Sequence, residues 1–205
     1  IMPDFFRIIK NETKQLHHEL EGVSYAQEIL SHTLTRKQYH ELLLKNYYCY
    51  QRIESILKEV SPLQADNPIS LFPSQRSGDL VLDLRYFDQR LTYSFPKDLF
   101  KIEVKSIADL IGVLYVLEGA RLGGRVVVKM LRSNRAVNDL PSFHFFEQRG
   151  VNVGERWAAF RRLAPNYLDN NRDVVDAITA ARQTFEAFHQ VHQHKLDKLL
   201  SFCAN

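Results

Sequence analysis

Apolar residues recur every three to four positions along most of this 205-residue chain, the period of helices with one buried face. The first such stretch, PDFFRIIKNETKQLHHELEG at 3–22, opens on Pro3 and Asp4 and closes on Gly22, good start and stop signals for a helix. A second is predicted to begin behind Thr35 as N-cap and to run through RKQYHELLLKNYYCYQRIESILKEV to Ser61 and Pro62. Residues 62–78 hold three prolines and read as a surface loop. DLVLDLRYFDQRL (79–91) predicts a shorter helix, SFPKDLF (94–100) a turn, and 105–133 a long, mostly apolar helix. NDLPSFHFFEQRG (138–150) reads as a second irregular connection, followed by helices over GERWAAFRRLAPN (154–166) and over 171–202. There is no alternating strand pattern, internal repeat or low-complexity tract. The expected class is all-α, one domain over 1–205 with no dividing linker.

Composition adds only boundaries. Apolar residues make up 45 % and charged residues 25 %, an ordinary globular balance. Lys+Arg (27) exceeds Asp+Glu (24), a net charge of +3. The charges are scattered, so nucleic acid is not an expected partner. Cys49 and Cys203 form no C-x-x-C pair, and a reduced, cytoplasmic setting is the simplest expectation. The opening IMPDFFRIIKNE carries charge too early, and too short an apolar run, for a signal peptide. No run of about eighteen apolar residues occurs, so no membrane span is expected.

Chemistry enters with the first helix. At 100° per residue, Lys10, Lys14, His17 and Glu21 share a stripe about 60° wide. Two cations lie toward one end, an imidazole in the middle and a carboxylate one turn beyond. Such a stripe suits a ligand with a metal at its centre and anionic groups at one edge. His17 would bind the metal, Glu21 would hold the other imidazole nitrogen, and the lysines would pair with the anions. The same charges at i, i+4 spacing equally describe a solvated helix face.

LYVLEGARLGGRVVVKM (114–130) is apolar enough for a buried helix yet carries Gly119, Gly123 and Gly124. Each glycine in a helix interior costs about 0.8–1 kcal/mol relative to alanine. Gly119 and Gly123 share a face, and Gly124 lies about 100° further round. Either the helix lies flat against a large planar ligand, its backbone in contact because no β-carbon intervenes, or it packs closely on another helix through G-x-x-x-G. Gly112 upstream and Gly124 make simple packing the less adequate account. Glu186 and His189 form one Glu-x-x-His, half of what a carboxylate-bridged dimetal site requires, and no partner motif occurs. His189, His192 and His194 cluster in sequence but diverge on the wheel, and exposed polar residues are the plainer account. The tyrosines of NYYCYQRIE read as core residues whose hydroxyls find partners.

Taken together, ETKQLHHELE (12–21) and LYVLEGARLGGRVV (114–127) resemble the heme oxygenase family, especially its bacterial members. The first matches the family's proximal helix and the second its Gly-x-x-x-Gly-Gly distal helix, in matching order and separation. The resemblance implies a helical bundle with heme between the first helix and a kinked, glycine-rich distal helix. Heme would be both substrate and cofactor, cleaved to biliverdin, carbon monoxide and ferrous iron with O2 and electrons from a ferredoxin or flavin reductase. By the same resemblance His17 is the axial iron ligand, with Glu21 as its hydrogen-bond partner. Lys10, Lys14 and Arg161 (or Arg162) meet the propionates, and this mildly basic face could steer an acidic donor. Gly119, Gly123 and Gly124 lie over the porphyrin, Tyr50 belongs to the distal polar network, and Phe185 lies at the heme edge. The chain departs from the pattern at Ala120, where many members have a water-ordering aspartate, and at Val116, where an arginine is frequent. Tyr50, Arg121 and backbone carbonyls are then left to order water. A non-catalytic heme carrier or sensor on the same fold, and a non-heme dimetal oxygenase, are the competing readings.

Overall fold

The computed structural model describes residues 4–60, 72, 76–88 and 99–196, and among them there is no strand. Among the described residues eight α-helices follow one another: α1 (Phe5–Val23), α2 (Ala26–Leu30), α3 (Arg36–Glu59), α4 (Ser77–Leu84), α5 (Ile107–Ser133), α6 (His144–Glu147), α7 (Val153–Leu163) and α8 (Asn171–Gln193). A 3-10 turn, Ala164–Tyr167, joins α7 to the last connection.

The helices start where side chains satisfy their free N–H groups. Asp4 Oδ1 accepts from Phe6 N at 3.2 Å. Thr35 with Gln38, Ser106 with Asp109, and Asn170 with Asp173 each form a reciprocal capping box, which fixes the starts of α3, α5 and α8.

α5 is the centre of the packing, running against α8 and touching α2, α6 and α7, while α1 also lies along α8. Leu110, Ile111, Val113 and Leu114 of α5 are completely buried, each contributing about 1.5–3 kcal/mol. Close approach of α5 and α8 depends on Gly112. A β-carbon there would run into the Ala177 carbonyl and come within 2.9 Å of Ala181 N. On the α8 side the buried positions Ala177, Ala180 and Ala181 are all small, so the two backbones meet directly. Gly112 is thus a packing glycine.

The structure departs from the sequence expectations at connections and helix ends. The helix α2 was not anticipated; it follows Tyr25, whose backbone is left-handed (φ 60°). α4 starts at Ser77 and ends at Leu84, earlier at both ends than 79–91, and positions 89–91 lie outside the described residues, as do most of the 62–78 loop and of the 94–100 turn. The 138–150 connection contains the helical turn α6, held by the buried Asp83 carboxylate, which accepts from His144 N (2.8 Å) and Phe145 N (2.9 Å). α8 ends at Gln193 rather than at 202, and 197–202 lie outside the described residues.

Candidate functional site

A cavity of about 920 Å³ opens between α1 and α5, floored by α3 and α8. Lys10, Lys14, His17 and Glu21 all line it, so the stripe on α1 faces this cavity. Arg161 of α7 lines the same end as the lysines, its guanidinium 5.4 Å from the Phe6 ring centroid. Arg162 is absent from the lining and is exposed. His17 Nδ1 lies 3.6 Å from Glu21 Oε1. His18 Nδ1 lies 3.7 Å from the other Glu21 oxygen, but His18 is outside the cavity. With Nδ1 on the Glu21 side, Nε2 is the His17 nitrogen left for a metal. The His17 ring meets Phe185 of α8 edge-on, centroids 5.7 Å apart, which restrains its rotation.

The opposite wall is α5, and its glycines divide into two kinds. A β-carbon at Gly119 or Gly123 would meet nothing within 4 Å, and both residues line the cavity. At Gly124 an added β-carbon would lie 2.8 Å from Gln148 Nε2 and 2.9 Å from the Phe146 carbonyl oxygen. Gly124 therefore borders the cavity while also letting the α6 segment lie on α5. Three of the six exposed large hydrophobics among the described residues, Leu30, Leu122 and Val126, edge this same cavity. An apolar rim around an open slot with a bare backbone wall suits a flat apolar ligand.

The polar groups near α5 fall on two sides of it. Val116 is buried and lines the cavity, and Ala120 is exposed on the same wall. Tyr50 is buried and lines the cavity, and burial pushes its phenol above the ordinary value of 10. The Arg76 guanidinium sits 4.1 Å from the Phe145 ring centroid and 5.6 Å from that of Tyr50. Arg121 turns away. It donates to Gln148 Oε1 (2.9 Å) and pairs with buried Glu118 at 3.3 Å, and Glu118 also pairs with Arg156 at 2.6 Å. The Arg121 carbonyl accepts from Gln148 Nε2 at 2.9 Å. Arg121 lines a second cavity of about 280 Å³, to which Arg76 and Gln148 also contribute.

Other residues of the large cavity escaped sequence reasoning. Tyr115, Trp157 and Asn46 line it, and so does His192, which the sequence reading takes for an exposed polar residue but which is buried against α3. The spacing of Phe185, Phe188 and His192 (i, i+3, i+7) marks one face of α8 and was the available signal. Glu186 is exposed and His189 half-buried, and among the described residues no cluster of three or more His, Cys, Asp and Glu is placed to share a metal ion.

A heme oxygenase family profile matches residues 4–194. The heme oxygenase of Xanthomonas campestris pv. campestris (strain 8004) is 33 % identical over 107 residues, 52 % of this chain. The match spans 61 % of that relative's length. The solved structure of the heme oxygenase from Leptospira interrogans superposes with a TM-score of 0.72 at 19 % identity, over 93 % of this chain and 98 % of that one. The fold is shared with that structure, and the profile covers nearly the whole sequence: the chain belongs to the heme oxygenase family.

Proposed function

We propose that this protein cleaves heme oxidatively to biliverdin, carbon monoxide and ferrous iron, using O2 and electrons supplied from outside. The observation that carries this reading is the pairing of His17, backed by Glu21 and Phe185, with an α5 wall where Gly119 and Gly123 leave the space of two β-carbons empty. The residues present fit a heme: an imidazole for the iron, cations at one end for two carboxylates, and an apolar rim for the ring. Bound heme supplies the iron at which O2 is activated and is itself the molecule oxidised. His17 would hold the iron through Nε2, and the Glu21 carboxylate would keep the Nδ1 proton in place. Lys10, Lys14 and Arg161 would bind the propionates and so orient the ring. Gly119 and Gly123 would admit the ring against the α5 backbone. Gly124 would hold the 144–148 segment, which carries Phe145, Phe146 and Gln148 to the cavity, in place.

With Ala120 and Val116 unable to bond water, Tyr50 and Arg76 are polar residues of the cavity lining that would orient it. Arg121 is committed to Glu118 and Gln148. The electron donor would be a ferredoxin or flavin reductase with an acidic face, drawn to Lys10, Lys14 and Arg161. No helix among the described residues is long and apolar enough to cross a membrane. A reducing, cytoplasmic setting is supported by Cys49, a free and fully buried thiol.

The test is the visible spectrum of the protein after heme, then reductant and air, are added. A heme band that gives way to a broad red-absorbing pigment supports the reading. A heme band that persists means a carrier, and no heme band refutes heme binding altogether.

A further inference from the structure

At the end of the cavity away from the lysines stands His192, which the reaction above does not use. α1 and α8 run side by side, with Glu12 3.8 Å from Arg182 and the His17 ring 5.7 Å from that of Phe185. Lys10 lies seven residues before His17, and His192 seven residues after Phe185. At 1.5 Å per residue each is about 10 Å from the His17 level, on opposite sides. The cross-links agree: Lys45 Nζ donates to the His192 carbonyl at 2.7 Å and lies 6.0 Å from the ring centroid of Tyr25, just past α1. The cavity therefore has a cationic end and an imidazole end, with His17 between them.

The His192 side chain is 3 % exposed and lines the cavity, and its Nδ1 is buried with no hydrogen-bond partner. Nδ1 is closed to the cavity, so Nε2 is the nitrogen by which the His192 ring can meet a ligand there. Its orientation is set by packing. The ring lies nearly parallel to Phe188 (15°, centroids 6.5 Å), which meets Tyr50 and Phe100 edge-on. Burial, with Lys45 and His189 nearby, pushes its pKa down to about 3, so the ring is neutral and offers one donor and one acceptor. The surrounding wall is largely apolar, from Ile29, Leu42 and Phe188, and the neighbouring Asn46 donates one of its two amide N–H groups to the Leu42 carbonyl at 3.0 Å.

An intact porphyrin whose propionates meet the lysines turns a hydrocarbon edge toward this imidazole, with nothing to bond it. Ring opening at the bridge on that side replaces a C–H by two lactam ends, each bearing a carbonyl. We propose that His192 binds the cut ends of the opened tetrapyrrole at the bridge opposite Lys10 and Lys14, holding product through a contact that intact heme does not make. The proposal rests on the heme-cleavage reading above. It makes His192 a determinant of product retention, and places the next step, release to an acceptor, under its control.

The experiment compares binding of two ligands to the full chain purified free of heme. Trp157 is the sole tryptophan of the sequence and lines the cationic end of the cavity, so its fluorescence reports occupancy by heme or by biliverdin. In His192→Phe the biliverdin Kd is expected to rise about tenfold, the size of one lost hydrogen bond to a buried group. Heme affinity should stay within about twofold. His192→Asn, which keeps a donor and an acceptor, should recover part of the biliverdin affinity. If His192→Phe does not fold, His192→Leu makes the same comparison. Unchanged biliverdin affinity, as expected if the imidazole only holds a water, overturns the proposal, and so does equal weakening of both ligands. Failure of heme to quench Trp157 in the unaltered protein would instead overturn the heme-cleavage reading.

Discussion

Alanine placed at Gly112 and at Gly119 should act in opposite directions, although both glycines sit in one helix. At Gly112 the new β-carbon runs into the Ala177 carbonyl and approaches Ala181 N to 2.9 Å. Neither backbone atom can step aside without parting α5 from α8. Overpacking of this kind costs about 1–3 kcal/mol or more, against about 0.8–1 kcal/mol returned by helix propensity. At roughly 2–4 °C per kcal/mol for a chain of this size, Gly112→Ala should melt several degrees lower. At Gly119 the new methyl meets nothing within 4 Å, so only the propensity gain remains and the heme-free protein should melt about 2–4 °C higher. On the proposed reading the loss at Gly119 should appear in chemistry, as slower pigment formation from heme, because the methyl would take up space in the cavity that the ring needs. Gly123→Ala should follow Gly119→Ala more weakly. The assay is thermal unfolding of the heme-free variants followed by circular dichroism, beside biliverdin yield under reductant and air. A Gly119→Ala protein that melts lower than wild type and still turns over heme normally would defeat the reasoning.

Three further outcomes follow from the same geometry. His17→Ala should abolish the ferric heme spectrum and turnover, with added imidazole restoring part of each; if only His18→Ala has this effect, the wrong histidine has been placed at the iron. Replacing Lys10 and Lys14 together by Glu sets like charge against the propionates and should weaken heme binding or change the biliverdin isomer, and no change in either refutes the assignment. Burial raises the Asp83 carboxyl from 3.8 to about 7, so the folded state holds this proton more tightly than the unfolded chain. Its contribution to stability is full below about pH 4 and is lost as pH rises through about 7. Melting temperature should fall between pH 5 and 8.5, and Asp83→Asn should flatten that slope; parallel profiles for the two proteins would show that Asp83 is not the group responsible.

The sequence by itself determined the helices and what each could offer. A 3.6-residue period, Asp4, Thr35, Ser106 and Asn170 as caps, and glycines within an apolar run are local facts, readable without neighbours. They sufficed for an all-α chain, for the Lys10–Lys14–His17–Glu21 stripe and for a resemblance to heme oxygenases. Short elements such as α2 and α6 were not legible. One follows a left-handed Tyr25 and the other is held by Asp83, 61 residues before His144 in sequence, and neither has enough turns to show a period. Periodicity names a face but never its partner, and the partner was what only the tertiary structure decided. It set His17 against the cavity and left His18 outside, put Arg161 but not Arg162 on the cavity lining, and turned Arg121 away to Glu118 and Gln148. It also separated glycines that look alike in sequence: Gly112 and Gly124 touch backbone or side chain from across the molecule, while Gly119 and Gly123 face open space. The physical reason is that a missing β-carbon has no meaning alone. Whether it admits a neighbouring helix or a ligand depends on which atoms long-range packing brings to the spot.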